Sequence, residues 1–390
     1  MPRRGGSRAF EEKRPPARPK KRLRAGPRED VKAKTKAGPK KRARKKGAPR
    51  RGPAVEIQKG VPVEQKKAGT PKSVVAPVAA APAGPAFRTG YVALIGRPNV
   101  GKSTLLNALL GHKVAIVSDK PQTTRISILG IRTTPQGQII FIDNPGIHRP
   151  LHALNRRMMN FVFSALQTAN LICLLVDATE EFGHGDEFVI ETLRRTTTPI
   201  FLLINKVDAV RKATVLPLIA RYKDLLPFKE IIPISALKGI NLDVLESLIY
   251  GQLPPAEKTY VEGETTDQTE RFFFAELIRE KLLAHVEEEL PFATAVFVEA
   301  IERGESRDRD NPDLVHPITR IRAAIFVEKD SHRKIVIGRQ GAVVKQIGIE
   351  ARRELEAALG MKVYLELQVR VRERWRDSED VLDLIEGQRH

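Results

Sequence analysis

Gly96-Arg97-Pro98-Asn99-Val100-Gly101-Lys102-Ser103 closes the apolar run Tyr91–Gly96 and opens the helical run Thr104–Leu110. The octet fits G-x-x-x-x-G-K-S in its required strand-to-helix setting, which is a loop that wraps phosphate oxygens. Its glycines let the backbone come close, and amide N–H groups at a helix N-terminus meet the negative charge. Lys102 is expected to reach the β and γ phosphates, and the Ser103 hydroxyl to hold Mg²⁺. The whole stretch from Gly96 to Thr104 is therefore a nucleotide-contact candidate.

Outward from this loop, short apolar runs alternate with helical segments: Ile126–Arg132, Gln138–Asp143, Leu171–Asp177, Ile200–Asn205 and Ile231–Ser235. Such alternation predicts an α/β domain, a mostly parallel sheet covered by helices on both faces, with ligands at the carboxyl ends of the strands. Two further motifs end strands of that sheet. Asp143-Asn144-Pro145-Gly146 places a carboxylate where it can hold Mg²⁺ through water, and the Gly146 amide where it can sense a γ-phosphate. Asn205-Lys206-Val207-Asp208 places at Asp208 an acceptor for the ring N–H and exocyclic amine of guanine. Adenine lacks that donor pair, and sites built around such a pair reject the analogue by roughly 10⁴-fold or more, so GTP is expected over ATP. Ser235-Ala236 would add backbone amides for the guanine carbonyl.

In this order the motifs resemble the translation-factor-related class of P-loop GTPases over about Tyr91 to Leu253. The resemblance makes Thr124, within Pro121-Gln122-Thr123-Thr124-Arg125, the switch threonine that closes onto Mg²⁺ and the γ-phosphate, with Thr123 as its neighbour. Lys102, Thr124 and Gly146 are then the residues expected to act in hydrolysis. Ile147 stands where small signalling GTPases carry a water-orienting glutamine; an aliphatic chain moves no proton, so slow intrinsic turnover is expected. His148, one residue on, is expected to point elsewhere. Asn99 matches the phosphate-loop asparagine of potassium-activated GTPases, and either helps to hold K⁺ or braces the loop turn.

Beyond Leu253 the stretch to Thr269, opened by Pro254-Pro255, reads as a linker between domains. A helix is expected over Glu270–Glu289, then strands at Ala293–Ile301 and Ile318–Val327 joined by a charged, flexible connection. Gly338-Arg339-Gln340-Gly341 follows, then a helix over Ala342–Leu359 and a strand at Lys362–Val371. Residues 316–376 carry 14 Lys/Arg against 7 Asp/Glu. A G-x-x-G loop between helices in such a basic unit matches the α+β type II KH domain, whose loop lets the backbone of four nucleotides approach. Ile337, Gly338, Arg339, Gln340, Gly341 and Lys345 are the RNA-binding candidates.

Taken together, Gly96–Ser103, Gln122–Arg125, Asn205–Asp208, the run Phe272–Leu283 with Glu289-Leu290-Pro291-Phe292, and the KH unit resemble the bacterial Era GTPase family over about Thr89 to Asp383. The chain departs from that family at Asn144, where threonine is usual, and in its long basic tail. The resemblance implies a GTP-hydrolysing switch using GTP/GDP and Mg²⁺, whose KH domain binds the 3′ end of 16S rRNA and assists 30S subunit assembly. It also implies a monomer with peripheral association at the inner membrane. The residues alone leave two alternatives open: a GTPase acting on another RNA or assembly stage, and a constitutive RNA-binding protein with a structural nucleotide site.

The chain has 390 residues, enough for two domains plus extras at roughly 150 per domain. Its charge of +20 lies in the tail: residues 1–88 hold 27 Lys/Arg against 6 Asp/Glu, while residues 89–390 hold 40 against 41. This division gives a disordered Pro/Ala-rich tail (1–88), a GTPase domain (89–253), a linker (254–269) and a KH domain with a C-terminal tail (270–390). The single cysteine, Cys173, excludes an intrachain disulfide framework. No apolar run of about 18 residues and no secretory layout occurs, so a cytoplasmic location is expected.

Overall fold

The computed structural model describes residues 86–148, 150–307 and 315–389. The tail expected to be disordered falls almost wholly outside them. In the first domain the elements run β1 (Arg88–Gly96), α1 (Lys102–Leu110), β2 (Ile128–Thr134), β3 (Gly137–Asp143), α2 (Ala153–Thr168), β4 (Leu171–Asp177), α3 (His184–Leu193), β5 (Ile200–Asn205), α4 (Lys212–Tyr222), β6 (Glu230–Pro233) and α5 (Leu242–Gln252). They form one sheet in the order β2-β3-β1-β4-β5-β6. Only β2 runs antiparallel to its neighbour.

Strands β3, β4 and β5 are buried along their whole length, which is why they read as continuous apolar runs rather than alternating ones. Successive residues still serve opposite faces. Val92, Leu94, Phe141 and Cys173 pack with α1 and α5 through Leu105, Leu109, Leu245 and Ile249. Ala93, Ile95, Ile172 and Leu174 pack with α2 and α3 through Met159, Val162, Val189 and Ile190. Each fully buried Leu or Ile contributes roughly 1.5–3 kcal/mol. Strand β1 lies where the strand order reverses, so the loop after it opens into a cleft at the carboxyl ends.

Residues 254–269 are strapped along the sheet. Ile131 donates to the Thr265 carbonyl at 2.9 Å, and Leu129 to the Asp267 carboxylate at 3.2 Å, covering the outer edge of β2. The Gln138 amide oxygen accepts from Thr259 and Tyr260, both at 2.9 Å. An edge strand with unpaired backbone groups is thereby closed off.

The second unit runs α6 (Glu270–Ala284), α7 (Leu290–Ala293), β7 (Thr294–Arg307), β8 (Val315–Val327), α8 (Asp330–Ile337), α9 (Ala342–Leu359), β9 (Lys362–Val371) and α10 (Glu379–Glu386). Its sheet has the order β7-β8-β9, with β7 antiparallel and β9 parallel to β8. Helices α6 and α9 cover one face of it, with Leu277, Ile278, Ile347 and Leu355 packed on Ile321, Ala323 and Ile325.

Three expectations change here. Helix α6 stops at Ala284 rather than Glu289, because Glu287-Glu288-Glu289 would crowd negative charge on the negative end of the helix dipole, and Glu288 turns to φ 54°. The connection expected between Ile301 and Ile318 is largely strand, since β7 and β8 stay paired out to Arg307 and Val315, with Glu302 opposite Arg320. Pro317 is tolerated there because β9 reaches only to Ile318. Helix α10, not anticipated, folds back so that Leu382 joins Trp375, Phe326, Leu154 and Met158 in a small core between the two units.

Candidate functional site

At the carboxyl ends of β1, β4 and β5 lies a cleft of about 600 Å³. Helix α1 begins there at Gly101, whose φ of 96° and missing Cβ let the loop turn into the helix. No side chain caps α1 and no acidic residue stands in its first turn, so its amide N–H groups are left for an anion. Lys102 is folded back over the loop, donating to the carbonyls of Arg97 at 2.9 Å and Gly96 at 3.4 Å. Burial lowers its pKa to about 8, an electrostatic deficit that a triphosphate would reverse.

Three elements bring oxygen ligands together beside it. The Ser103 hydroxyl donates to Asp143 Oδ2 at 2.6 Å and lies 2.9 Å from the Thr124 hydroxyl, which reaches the same carboxylate oxygen at 3.4 Å. Asp143 is fully buried just behind these hydroxyls, its pKa is raised to about 6 by desolvation, and its Oδ1 has no partner among the described residues. A buried carboxylate with an orphan oxygen beside two hydroxyls is an all-oxygen set suited to a hard divalent cation such as Mg²⁺. Ser103 and Thr124 would hold the ion and Asp143 would hold its water; when bound, it supplies positive charge against the phosphate oxygens. Thr123 also lines the cleft, but its hydroxyl is spent on the Lys120 carbonyl at 2.6 Å.

At the other end of the cleft, the Asp208 carboxylate is exposed, faces the cavity and has no protein partner among the described residues, which leaves it free for a donor pair on a base. Asn205 acts as a brace: its amide donates to the Val100 carbonyl at 2.8 Å, and its Oδ1 accepts from Ala236 at 2.9 Å. The loop reading the phosphates and the loop reading the base are thus tied through one side chain. Lys206 is held by Asp177 at 2.5 Å, and Asp177 in turn accepts from Thr179.

Pro98, Asn99, Gly101, Lys102, Ser103, Thr104, Thr124, Gly146, Asn205, Lys206, Asp208 and Ala236 line the cleft. Gly146 abuts Pro98 so closely that a Cβ would fall 2.5 Å from the Pro98 nitrogen. Several candidates serve differently from expectation. The Arg97 guanidinium leaves the cleft for Asp186 at 2.9 Å and Glu180 at 2.8 Å. Asn144 is buried and spent inside the sheet, accepting from Ser127 at 2.8 Å and donating to the Ile142 carbonyl at 3.0 Å. Gly96, Val100 and Ser235 contribute carbonyls or turns rather than cleft wall, and Pro145 is buried outside it. The Ala236 N–H is engaged by Asn205, so a guanine carbonyl would compete for it. Ile147 lies in the core, its amide tied to the Gly96 carbonyl at 3.0 Å, and His148 faces a separate groove with Arg97 and His184. Asn99, at φ 63°, donates to the Asp119 carbonyl at 2.6 Å, which is the bracing role in this conformation. Asp177 and Thr179 are cleft residues that sequence reasoning missed; the signal was a lone aspartate ending an apolar strand.

In the second unit, Gly338, Gln340 and Gly341 all take positive φ (73°, 52° and 78°), making the tight turn between α8 and α9. A Cβ on Gly338 would meet Val343 at 2.5 Å. Arg339 and Gln340 project into solvent. Beyond the turn, a groove of about 330 Å³ runs between α9 and the edge strand β9, lined by Lys345, Gly348, Ile349, Arg352, Tyr364 and Leu367 among others. Its apolar floor, basic wall and unpaired strand edge suit a single nucleic-acid strand. Ile337, half-buried at the end of α8, does not line it. The strand side of the groove, Tyr364 and Leu367, was not anticipated, because β9 alternation marks a strand without saying which edge is free.

The fold and its two sites define a P-loop GTPase joined to a carboxy-terminal KH domain. A family model described as a 50S ribosome-binding GTPase matches residues 91–206, and a KH domain model matches residues 315–376. GTPase Era of Heliobacterium modesticaldum is 45% identical over 296 residues, 76% of this chain and 96% of that protein. A structure of Era in complex with MgGDPNP and nucleotides 1506–1542 of 16S ribosomal RNA superposes with a TM-score of 0.70 at 40% identity, covering 77% of this chain and 98% of the other. A variant of Aquifex aeolicus Era bound to GDP·AlF4⁻ gives a TM-score of 0.70 at 39% identity, with 77% and 99% covered. This chain belongs to the Era GTPase family, and it is a GTPase that uses GTP/GDP with Mg²⁺.

Proposed function

We propose that this GTPase controls how its KH domain holds the 3′ end of 16S rRNA during assembly of the 30S subunit. The observation that carries the proposal is the groove between α9 and β9, with Lys345 and Arg352 on its wall, in a chain 40% identical to an Era captured on nucleotides 1506–1542 of that RNA. Crosslinking the protein to RNA in cells and sequencing the bound fragments tests it. Reads concentrated at the 3′ end of 16S rRNA are expected; reads from tRNA or 23S rRNA would reject the target.

Within this reading the functional division is a GTPase domain over 89–253, a strap over 254–269 and a KH domain over 270–390. Lys102 neutralises charge on the transferring phosphate, the Thr124 hydroxyl closes the site, and the Gly146 amide senses the γ-phosphate. With Ile147 in the core, water positioning falls to backbone groups or to a partner. Asn99 keeps Oδ1 as an acceptor beside the phosphate loop, and there it would hold K⁺; replacing K⁺ by Na⁺ should slow hydrolysis several-fold, and equal rates would remove the ion from the account. The RNA contacts are Gly338, Arg339, Gln340, Gly341 and Lys345, with Ile337 supporting the turn. We further propose a cytoplasmic monomer with peripheral contact at the inner membrane, as the family resemblance implies; gel filtration and cell fractionation test this.

A further inference from the structure

Seven side chains among the described residues carry a buried polar atom with no partner, and five of them, Arg125, Gln268, Arg279, Thr294 and Arg389, lie at the seam between the GTPase domain and the KH unit. Buried polar groups are almost always paired, so this concentration marks a seam whose polar groups are incompletely satisfied in this conformation. Three of the five are arginines, and two of these, Arg125 and Arg279, set like charges against each other. Both act on the residues flanking Thr124.

On one side, Arg279 of α6 donates to the Thr123 carbonyl, and Glu276 orients it through bonds of 2.8 and 2.5 Å. On the other, the Arg125 guanidinium enters the KH unit, donating to the carbonyls of Thr294 at 2.6 Å and Pro291 at 2.7 Å. It stands 5.6 Å from the ring centre of Trp375, which is fixed in turn by a bond of 2.8 Å to the Ala293 carbonyl. Thr124 is one residue from each grip, and its hydroxyl reaches Ser103 and Asp143. The route continues to the RNA groove: α6 packs on α9 through Leu277, Ile278, Ile347 and Leu355, and Lys113 bridges Glu280 of α6 and Glu354 of α9.

We propose that Arg125 and Arg279 are positioning residues for GTP hydrolysis, a clamp through which the KH unit holds the backbone on both sides of Thr124 and so sets whether its hydroxyl stands in the nucleotide site. The proposal rests on the reading of Thr124 as the switch threonine. A shift of α6 against the first domain, such as RNA seated in the groove would cause, moves Thr124 without touching Lys102, Asn205 or Asp208. The clamp therefore acts on hydrolysis and leaves GDP binding alone.

The test is single-turnover GTP hydrolysis with Mg²⁺, alongside equilibrium GDP binding, on the full chain. Thr124→Ala comes first: hydrolysis should fall at least about tenfold with GDP affinity within about threefold, and no fall would sink the switch reading itself. Arg125→Met and Arg279→Met keep the packing volume and remove the grip; each should slow hydrolysis by about tenfold or more, since displacements of an ångström cost up to about 10²-fold. Neither should slow the Thr124→Ala background further, because the three act as one unit. Arg279→Lys keeps one donor for Thr123 and should recover part of the loss. Trp375→Phe, which loosens Arg125 from a distance, should repeat the pattern and serves if a methionine variant misfolds. Unchanged hydrolysis in these variants, additive losses in the Thr124→Ala background, or GDP affinity falling in step with hydrolysis would each overturn the clamp while leaving the role of Thr124 intact.

Discussion

Replacing Gly101 by alanine should break nucleotide binding through a contact that lies outside the nucleotide. A Cβ at this position would fall 2.4 Å from Asn205 Nδ2, a separation no relaxed side chain accepts. The backbone also sits at φ 96°, where an L-residue is strained by roughly 1–3 kcal/mol. Asn205 cannot give way freely, because its 2.8 Å bond to Val100 and its 2.9 Å bond from Ala236 join the two recognition loops. Losing one buried bond of that kind costs roughly another 1–3 kcal/mol. The strain falls on stability with or without nucleotide, and the lost bond, about 1–3 kcal/mol, should appear as a GDP affinity lowered by at least about fivefold, at 1.4 kcal/mol per decade. Calorimetric titration with Mg·GDP, paired with thermal melting, measures it. Gly111→Ala is the control: it also has positive φ (77°) but nothing within 4 Å, so it should lose roughly 1 kcal/mol of stability and no affinity. GDP affinity within about threefold of the parent in folded Gly101→Ala protein would refute the coupling of the two loops through Asn205.

Asp208→Ala should abolish most of the preference of roughly 10⁴-fold for GTP over ATP, because the freestanding carboxylate is the donor-pair reader; competition binding with both triphosphates reads it, and an intact preference would move base recognition elsewhere. Mg²⁺ affinity should depend on pH through Asp143. Its pKa in the empty site is raised to about 6, so below that value a proton competes with the cation, and affinity should fall by about fivefold between pH 6 and 5 while staying nearly flat above pH 7. By the same linkage the empty protein gains stability from this group as pH falls through 6 and loses it as pH rises; equal Mg²⁺ affinity at pH 7.5 and 5 would contradict the assignment. Removing residues 1–88, with 27 basic and 6 acidic side chains, should weaken RNA binding at low salt and flatten its salt dependence while leaving GTP affinity unchanged; an unaltered salt slope would show that the tail does not reach the phosphates.

What could be read from the sequence was whatever repeats locally. The phosphate loop announces itself because glycine spacing, lysine and hydroxyl must all sit within eight residues between a strand and a helix. Strands β4 and β5, helix α9 and strand β9 begin and end where their apolar periodicity does. Asn144 shows the limit of motif transfer: its place in the motif suggests ligand contact, whereas its burial beside Ser127 makes it a brace. The seam was out of reach for a different reason. Residues 112–127 and 254–269 have no periodicity, and their partners, such as Arg279 for Thr123 or Thr294 for Arg125, stand more than 150 positions away. Helix α10 was hidden by its charge, since only Val381, Leu382 and Ile385 turn inward to the small core with Trp375.

The nucleotide cleft and the RNA groove should communicate through the seam. The affinity of the full chain for an oligonucleotide of the 16S 3′ end, measured with Mg·GDPNP and again with Mg·GDP at one salt concentration, tests this most directly. Coupling through the seam predicts a difference of at least about fivefold. Equal affinities in the two states would mean that two independent domains share one chain.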